Sequence, residues 1–180
     1  MKRKTLIPFG GSADYSIDFL LGVIEDARVT TLERVEGISK EMLHWQYAEG
    51  WNTIGALLSH IISCRKCFRI LFIEGREFTK EEDAELTPGQ EMGKYIPQLI
   101  TDDEIDVYID RLHVSNIELV KAVSEISKEA FLEKREGYNP ETGCNLAWIL
   151  YHLAEDEVHH RGQISLIQKL YKANNPSADS

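Results

Sequence analysis

Cysteine is scarce in this chain: three among 180 residues, an odd number that builds no disulfide framework at this size. Long apolar runs are missing too. Nothing approaches the roughly 18 consecutive apolar residues that a membrane span needs. Basic residues are outnumbered, 20 against 30 acidic ones, which leaves a net charge of −10. Binding to a nucleic-acid backbone needs a basic face, so that class of partner is excluded. The basic start Lys2-Arg3-Lys4 resembles the beginning of a signal peptide, but Pro8, Gly10, Gly11 and Asp14 break up the next dozen residues before an apolar stretch can form. No glycine-rich phosphate loop follows a strand, and no serine nucleophile elbow is present. With 43% hydrophobic and 28% charged residues, the chain has the composition of a globular protein. The expectation is one domain over residues 1–180, soluble and cytoplasmic, with enough chain to bury a core without staples.

Four stretches repeat apolar residues at helical spacing, and no stretch alternates as a strand does. The first runs from about Tyr15 to Val35, with Phe19, Leu20, Val23, Ile24, Ala27, Leu32 and Val35 on one face and Gly37 as its stop. A helical turn comes next at Ser39–Met42. The second runs from about Thr53 to Ile73, with Asn52 as the expected N-cap and Gly75 past its end. The third opens on a capping box of Thr101 and Glu104 and continues through Val107, Leu112, Ile117 and Val120. The fourth spans about Asn145 to Tyr171, after turn signals at Asn139-Pro140 and Gly143. Between the second and third, residues 74–106 carry eleven acids against three bases and read as a solvated crossover linker. The fold class expected is all-α: a four-helix bundle with a long crossover.

The fourth helix breaks its own pattern. Its core stripe runs Leu146, Ile149, Leu153, then Asp156 and His160, then Ile164 and Ile167. A carboxylate and an imidazole thus occupy two apolar slots, and burying them unpaired costs several kcal/mol. Four residues apart, they share a helix face, the spacing by which one helix offers two ligands to a metal. A buried Asp–His hydrogen bond without metal is the simpler explanation of this helix taken alone. His60, in the middle of the second helix, lies on a stripe from Leu57 to Leu71 and supplies a third group. Two histidines and a carboxylate leave coordination positions open, as catalytic metal sites do.

Other residues compete for these roles. Glu157 is three before His160 and could replace Asp156. His152 is a further ligand or a support for one. His159 sits about 100° around the helix from His160 and reads as interfacial or supporting. His44 and His113 have no partner in sequence and read as ordinary. Cys64 and Cys67 form a Cys-x-x-Cys inside a helix, away from the strand–helix setting of redox motifs. With His60 they could hold a soft metal, but the expected role is as small core hydrophobes. Cys144 has no evident partner.

Glu157-Val158-His159-His160-Arg161-Gly162-Gln163-Ile164 is similar to the C-terminal signature of the DinB/YfiT-like superfamily, in which a metal-binding His is followed four residues later by a second and then by Arg-Gly-Gln. Trp51 to His60 resembles the other motif of that family, an aromatic loop leading to the helix with the first His. The resemblance implies an up-down-down-up four-helix bundle with a divalent metal in its core. By position, the three family ligands fall on His60, Asp156 and His160, with Asp156 standing where the family has a histidine. It implies Zn²⁺, Ni²⁺, Fe²⁺ or Mn²⁺ as cofactor, and matching roles for Arg161 and Gln163, with Gly162 permitting close helix contact. It also implies thiol-dependent transfer with a low-molecular-weight thiol, or metal-dependent hydrolysis, or a non-catalytic binding role on the same scaffold. A homodimer is the expected assembly.

Overall fold

The computed structural model describes residues 15–135 and 143–176. The long helices are α1 (Tyr15–Val35), α3 (Ile54–Phe68), α6 (Ile105–Ser124) and α8 (Leu146–Asn174). Short ones are α2 (Lys40–His44), α4 (Lys80–Glu91), α5 (Ile96–Leu99) and α7 (Lys128–Leu132). Among the described residues there is no strand, only one isolated antiparallel bridge between Arg135 and Cys144. No helix among them is long and apolar enough to cross a membrane. The turn signals at Asn139-Pro140 and the Gly10-Gly11 pair lie outside the described residues.

Side-chain contacts fix the helix directions. Thr30 meets Arg161 and the Arg34 carbonyl meets Gln168, so α1 and α8 run parallel. Arg65 meets Glu157 while Phe68 packs on His152, so α3 runs against α8. Arg28 meets His113 and Glu25 meets Asn116, so α6 runs against α1. The order is up-down-down-up, in agreement with the expected bundle. Local signals explain most boundaries. Ser39 caps α2 and Asn145 caps α8, each side chain accepting from a backbone N–H three residues on. Gly37 follows α1, and Gly75 follows the π-helical turn Arg69–Ile73 that extends α3, with φ of 70° and 65°.

Several expectations need correction. The N-cap of α3 is Thr53, whose hydroxyl accepts from the Ala56 N–H, not Asn52. Thr101 and Glu104 form no capping box, because Thr101 turns to the Asp103 N–H and the Tyr108 hydroxyl. The capping box belongs to Thr79 and Glu82, at the head of α4. That helix lies in the stretch read as a solvated linker, and the hydroxyl cap outweighs the acidic composition that suggested one. Its Leu86 and Gly89 are buried against the bundle. On α6 the buried face is Tyr108, Leu112, Ser115, Leu119 and Val123, while Ile117 is 67% exposed. A tyrosine and a serine sit inward there, which disguised the stripe. Phe19 on α1 is likewise exposed, with Ile17 inside.

Two large apolar clusters fill the bundle, and a small third one joins Cys67, Ile70 and Leu86. One gathers Leu43, Leu57, Leu58, Tyr108, Leu112 and Ile164. The other gathers Ile17, Ile24, Leu119, Phe131, Ile149 and Leu153. Leu57 and Ile164 lie in the first and Leu153 in the second. On α3 and α8 the polar residues His60, Asp156 and His160 fall between these apolar anchors.

Candidate metal centre

His60 on α3 and Asp156 and His160 on α8 come together across the antiparallel pair. His60 Nε2 is 3.5 Å from Asp156 Oδ2, and His160 Nε2 is 3.2 Å from Asp156 Oδ1. The two imidazoles meet edge to face with ring centres 4.6 Å apart. The side chains are 13%, 19% and 8% exposed for His60, Asp156 and His160, so water reaches them sparingly.

The outer nitrogens of both rings are engaged by carbonyl-type oxygens. His60 Nδ1 is 2.9 Å from the Gly89 carbonyl oxygen, and His160 Nδ1 is 2.9 Å from the Gln163 amide oxygen. Those oxygens only accept, so each Nδ1 carries the proton. In the neutral rings both Nε2 atoms then present lone pairs to the same carboxylate. Such a cluster needs a positive charge between its members, either protons or a metal ion. An imidazole held through Nδ1 by a carbonyl is the usual support of a metal-ligating histidine. The Gln163 amide nitrogen, in turn, donates to His159 Nε2 at 3.0 Å, so His159 supports His160 through Gln163.

Without a metal the charge comes from protons. Burial works against an imidazolium at His60, but its bonds to Asp156 and Cys64 prevail and push it up to about 10. Burial also disfavours the Asp156 carboxylate, yet the bonds from His160 and His60 hold it well below the usual carboxylate range.

Gly89 reaches His60 because it lacks a side chain. A Cβ there would sit 2.2 Å from Ser63 Oγ and 2.9 Å from the Ser59 carbonyl oxygen. Its carbonyl lies in the last turn of α4, where helix carbonyls have no intrahelical partner. Nothing in the sequence paired Gly89 with His60, since the contact joins residues 29 apart through a segment read as a linker.

The competing residues sort clearly. Glu157 points away from Asp156 and is sealed against Arg65 on α3. Burial pushes its carboxyl up, while Arg65 pulls against that shift. His152 stacks on Trp148 at 4.8 Å and meets Phe68 edge on, in the wall beside the site. His44 bonds the Asp103 carbonyl and His113 bonds Arg28, both away from the centre. Cys64 and Cys67 part company. Cys67 packs with Ile70 and Leu86, and burial pushes its thiol up to about 12. Cys64 instead approaches the site, its sulfur 3.4 Å from His60 Nε2. Ligand atoms of His60, Cys64 and Asp156 all lie within 4.8 Å of one another. Gly162 is exposed and a Cβ there would meet nothing within 4 Å, so within the chain it serves no close helix contact.

A cavity of about 580 Å³ opens onto the cluster, lined by His60, Cys64, Phe68, Phe72, Gln90, His152 and Asp156 among others. That is room for a small molecule.

An up-down-down-up helical bundle with an inward histidine–carboxylate cluster on two antiparallel helices defines a recognisable class of helical protein. The DinB family profile matches residues 14–179, and the chain belongs to the DinB family. No curated protein matches it.

Proposed function

We propose that this protein is a metal-dependent enzyme in which His60, Asp156 and His160 hold a divalent ion. The observation that carries the reading is that both Nδ1 atoms are held by the Gly89 and Gln163 oxygens, so that in the neutral rings two Nε2 lone pairs face one carboxylate. When bound, such an ion lowers the pKa of a thiol or water on it toward neutrality. The reaction class we assign is thiol-dependent transfer with a low-molecular-weight thiol, with metal-dependent hydrolysis as the alternative. The cavity beside the cluster gives a substrate access to His60 and Asp156. None of its lining residues is Lys or Arg, so the cavity wall offers no side-chain cation to a carboxylate of the thiol.

One observation favours a second reading. Asp156 is paired with both histidines and His60 is pushed up to about 10, so protons can balance the carboxylate and a non-catalytic, metal-free binding protein fits the same core. Metal content of protein purified without an affinity tag separates the two. The enzyme reading expects about one ion per chain, or recovery of one on adding Zn²⁺, Ni²⁺, Mn²⁺ or Fe²⁺. Sub-stoichiometric metal that no added ion restores leaves the binding protein. A loaded sample assayed for thiol conjugation and for ester hydrolysis then decides between the two chemistries.

A further inference from the structure

We infer that Cys64 supplies a fourth donor to this centre, making it a two-nitrogen, one-oxygen, one-sulfur site that selects borderline-soft ions over hard ones. The inference rests on the metal reading above. Cys64 lies one turn after His60 on the same face of α3, and its sulfur is 3.4 Å from His60 Nε2. The Asp156 carboxylate is within 4.8 Å of both.

Three of the donor separations match those expected around one tetrahedral ion. Zinc bonds of about 2.0–2.1 Å to nitrogen or oxygen and about 2.3 Å to sulfur place neighbouring donors about 3.3–3.6 Å apart. The three measured separations are 3.4 Å for Cys64 to His60, 3.5 Å for His60 to Asp156, and 3.2 Å for His160 to Asp156. Each falls within about 0.1 Å of that range. Cys64, His60 and Asp156 already lie within 4.8 Å of one another, and His160 reaches the group through Asp156 Oδ1.

The donor chemistry then narrows the metal. A thiolate prefers Zn²⁺, Co²⁺ or Cd²⁺ to Mn²⁺ or Mg²⁺. On binding, the thiol gives its proton to solvent and the sulfur keeps the electron pair that it shares with the ion. Cys64 also lines the cavity, so the sulfur stands on the side from which a substrate enters. This role divides the Cys-x-x-Cys pair. Cys64 turns to the metal, whereas Cys67 stays in the apolar cluster with Ile70 and Leu86.

Cobalt titration of the full chain tests this. Bound Co²⁺ gives visible ligand-field bands for any tetrahedral site, and a near-ultraviolet charge-transfer band only when a thiolate is coordinated. The expected result is both bands in the wild type and in a Cys67→Ser/Cys144→Ser double variant. In Cys64→Ser the charge-transfer band is lost and the visible bands remain. Cadmium affinity should fall at least tenfold in Cys64→Ser, with manganese affinity little changed. Visible bands without charge transfer in the wild type would overturn the role of Cys64 and leave the histidine–carboxylate site standing. So would a charge-transfer band that survives Cys64→Ser. Absence of every cobalt band would overturn the metal reading itself. The double variant decides even if Cys64→Ser does not fold.

Discussion

Arg65 and Glu157 form an ion pair sealed inside the bundle, their side chains 1% and 0% exposed. Each is the immediate chain neighbour of a residue in the candidate metal cluster, Cys64 on α3 and Asp156 on α8. Arg65 Nε and Nη1 and Glu157 Oε1 have no hydrogen-bond partner among the described residues. Breaking a buried pair from one side strands a charge and costs about 3–5 kcal/mol, while replacing both partners by apolar residues is often neutral or stabilising. We therefore expect Arg65→Met and Glu157→Leu each to lose about 3–5 kcal/mol in urea unfolding, and the double variant to recover most of it. Additive losses in the double variant would show that the two charges do not offset one another.

Gly89→Ala should damage the centre without touching a ligand. The new Cβ collides with Ser63 and the Ser59 carbonyl, so α4 must shift and the Gly89 oxygen leaves His60 Nδ1. Loss of such an outer partner typically costs 10–100-fold in metal affinity, and overpacking costs about 1–3 kcal/mol of stability. Isothermal titration with Zn²⁺ checks the first and thermal unfolding the second. Unchanged affinity would mean that the Gly89 carbonyl does not hold the ring.

Chelation should lower the melting temperature of the protein loaded at a thousandfold excess over Kd by about 8–16 °C. An ion at a thousand times its Kd stabilises by about 4 kcal/mol, and each kcal/mol moves Tm by roughly 2–4 °C at this size. Asp156→Asn should abolish most of this sensitivity, because an amide is a poor ligand without charge. Asp156→His should keep it, since that change restores a third histidine. Equal sensitivity in all three proteins would remove Asp156 from the ligand set.

The head of α4 gives a pH-dependent contribution of known sign. Arg76 and the Thr79 N–H hold the Glu82 carboxyl down at about 2, against 4.5 unperturbed. A depressed carboxyl adds stability above its unfolded pKa and loses it as pH falls through the folded value. The Tm difference between wild type and Glu82→Gln should be full at pH 6, shrink below 4.5, and vanish near 2. A difference that stays constant across this range would mean that the ionised cap does not contribute.

The four long helices and the polar break in the core face of α8 are legible in the sequence because both depend on local spacing. Leu146, Ile149, Leu153, Ile164 and Ile167 are buried as their periodicity demands, and the interruption at Asp156 and His160 marks the polar cluster. Glu157 is legible as a carboxylate near His160 but not as the partner of Arg65, since that pairing depends on how α3 and α8 align. Cys64 and Cys67 look alike in sequence, and only the roll of α3 about its axis separates them. The face of α6 is hidden in the sequence because Tyr108 and Ser115, both polar, are the residues turned inward. The helix within residues 74–106 is hidden because composition reports average solvation, whereas a single hydroxyl at Thr79 starts a helix.

The bond from Gly89 to His60 also makes the crossover unequally tolerant of changes in length. One residue added within α4 between Thr79 and Gly89 would turn the rest of the helix by about 100° and advance it by about 1.5 Å. A bulkier residue would then take the place of Gly89 beside Ser63. The same insertion after Tyr95 would leave α4 where it is. Insertions and deletions between Thr79 and Gly89 should therefore be tolerated less well than those after Tyr95.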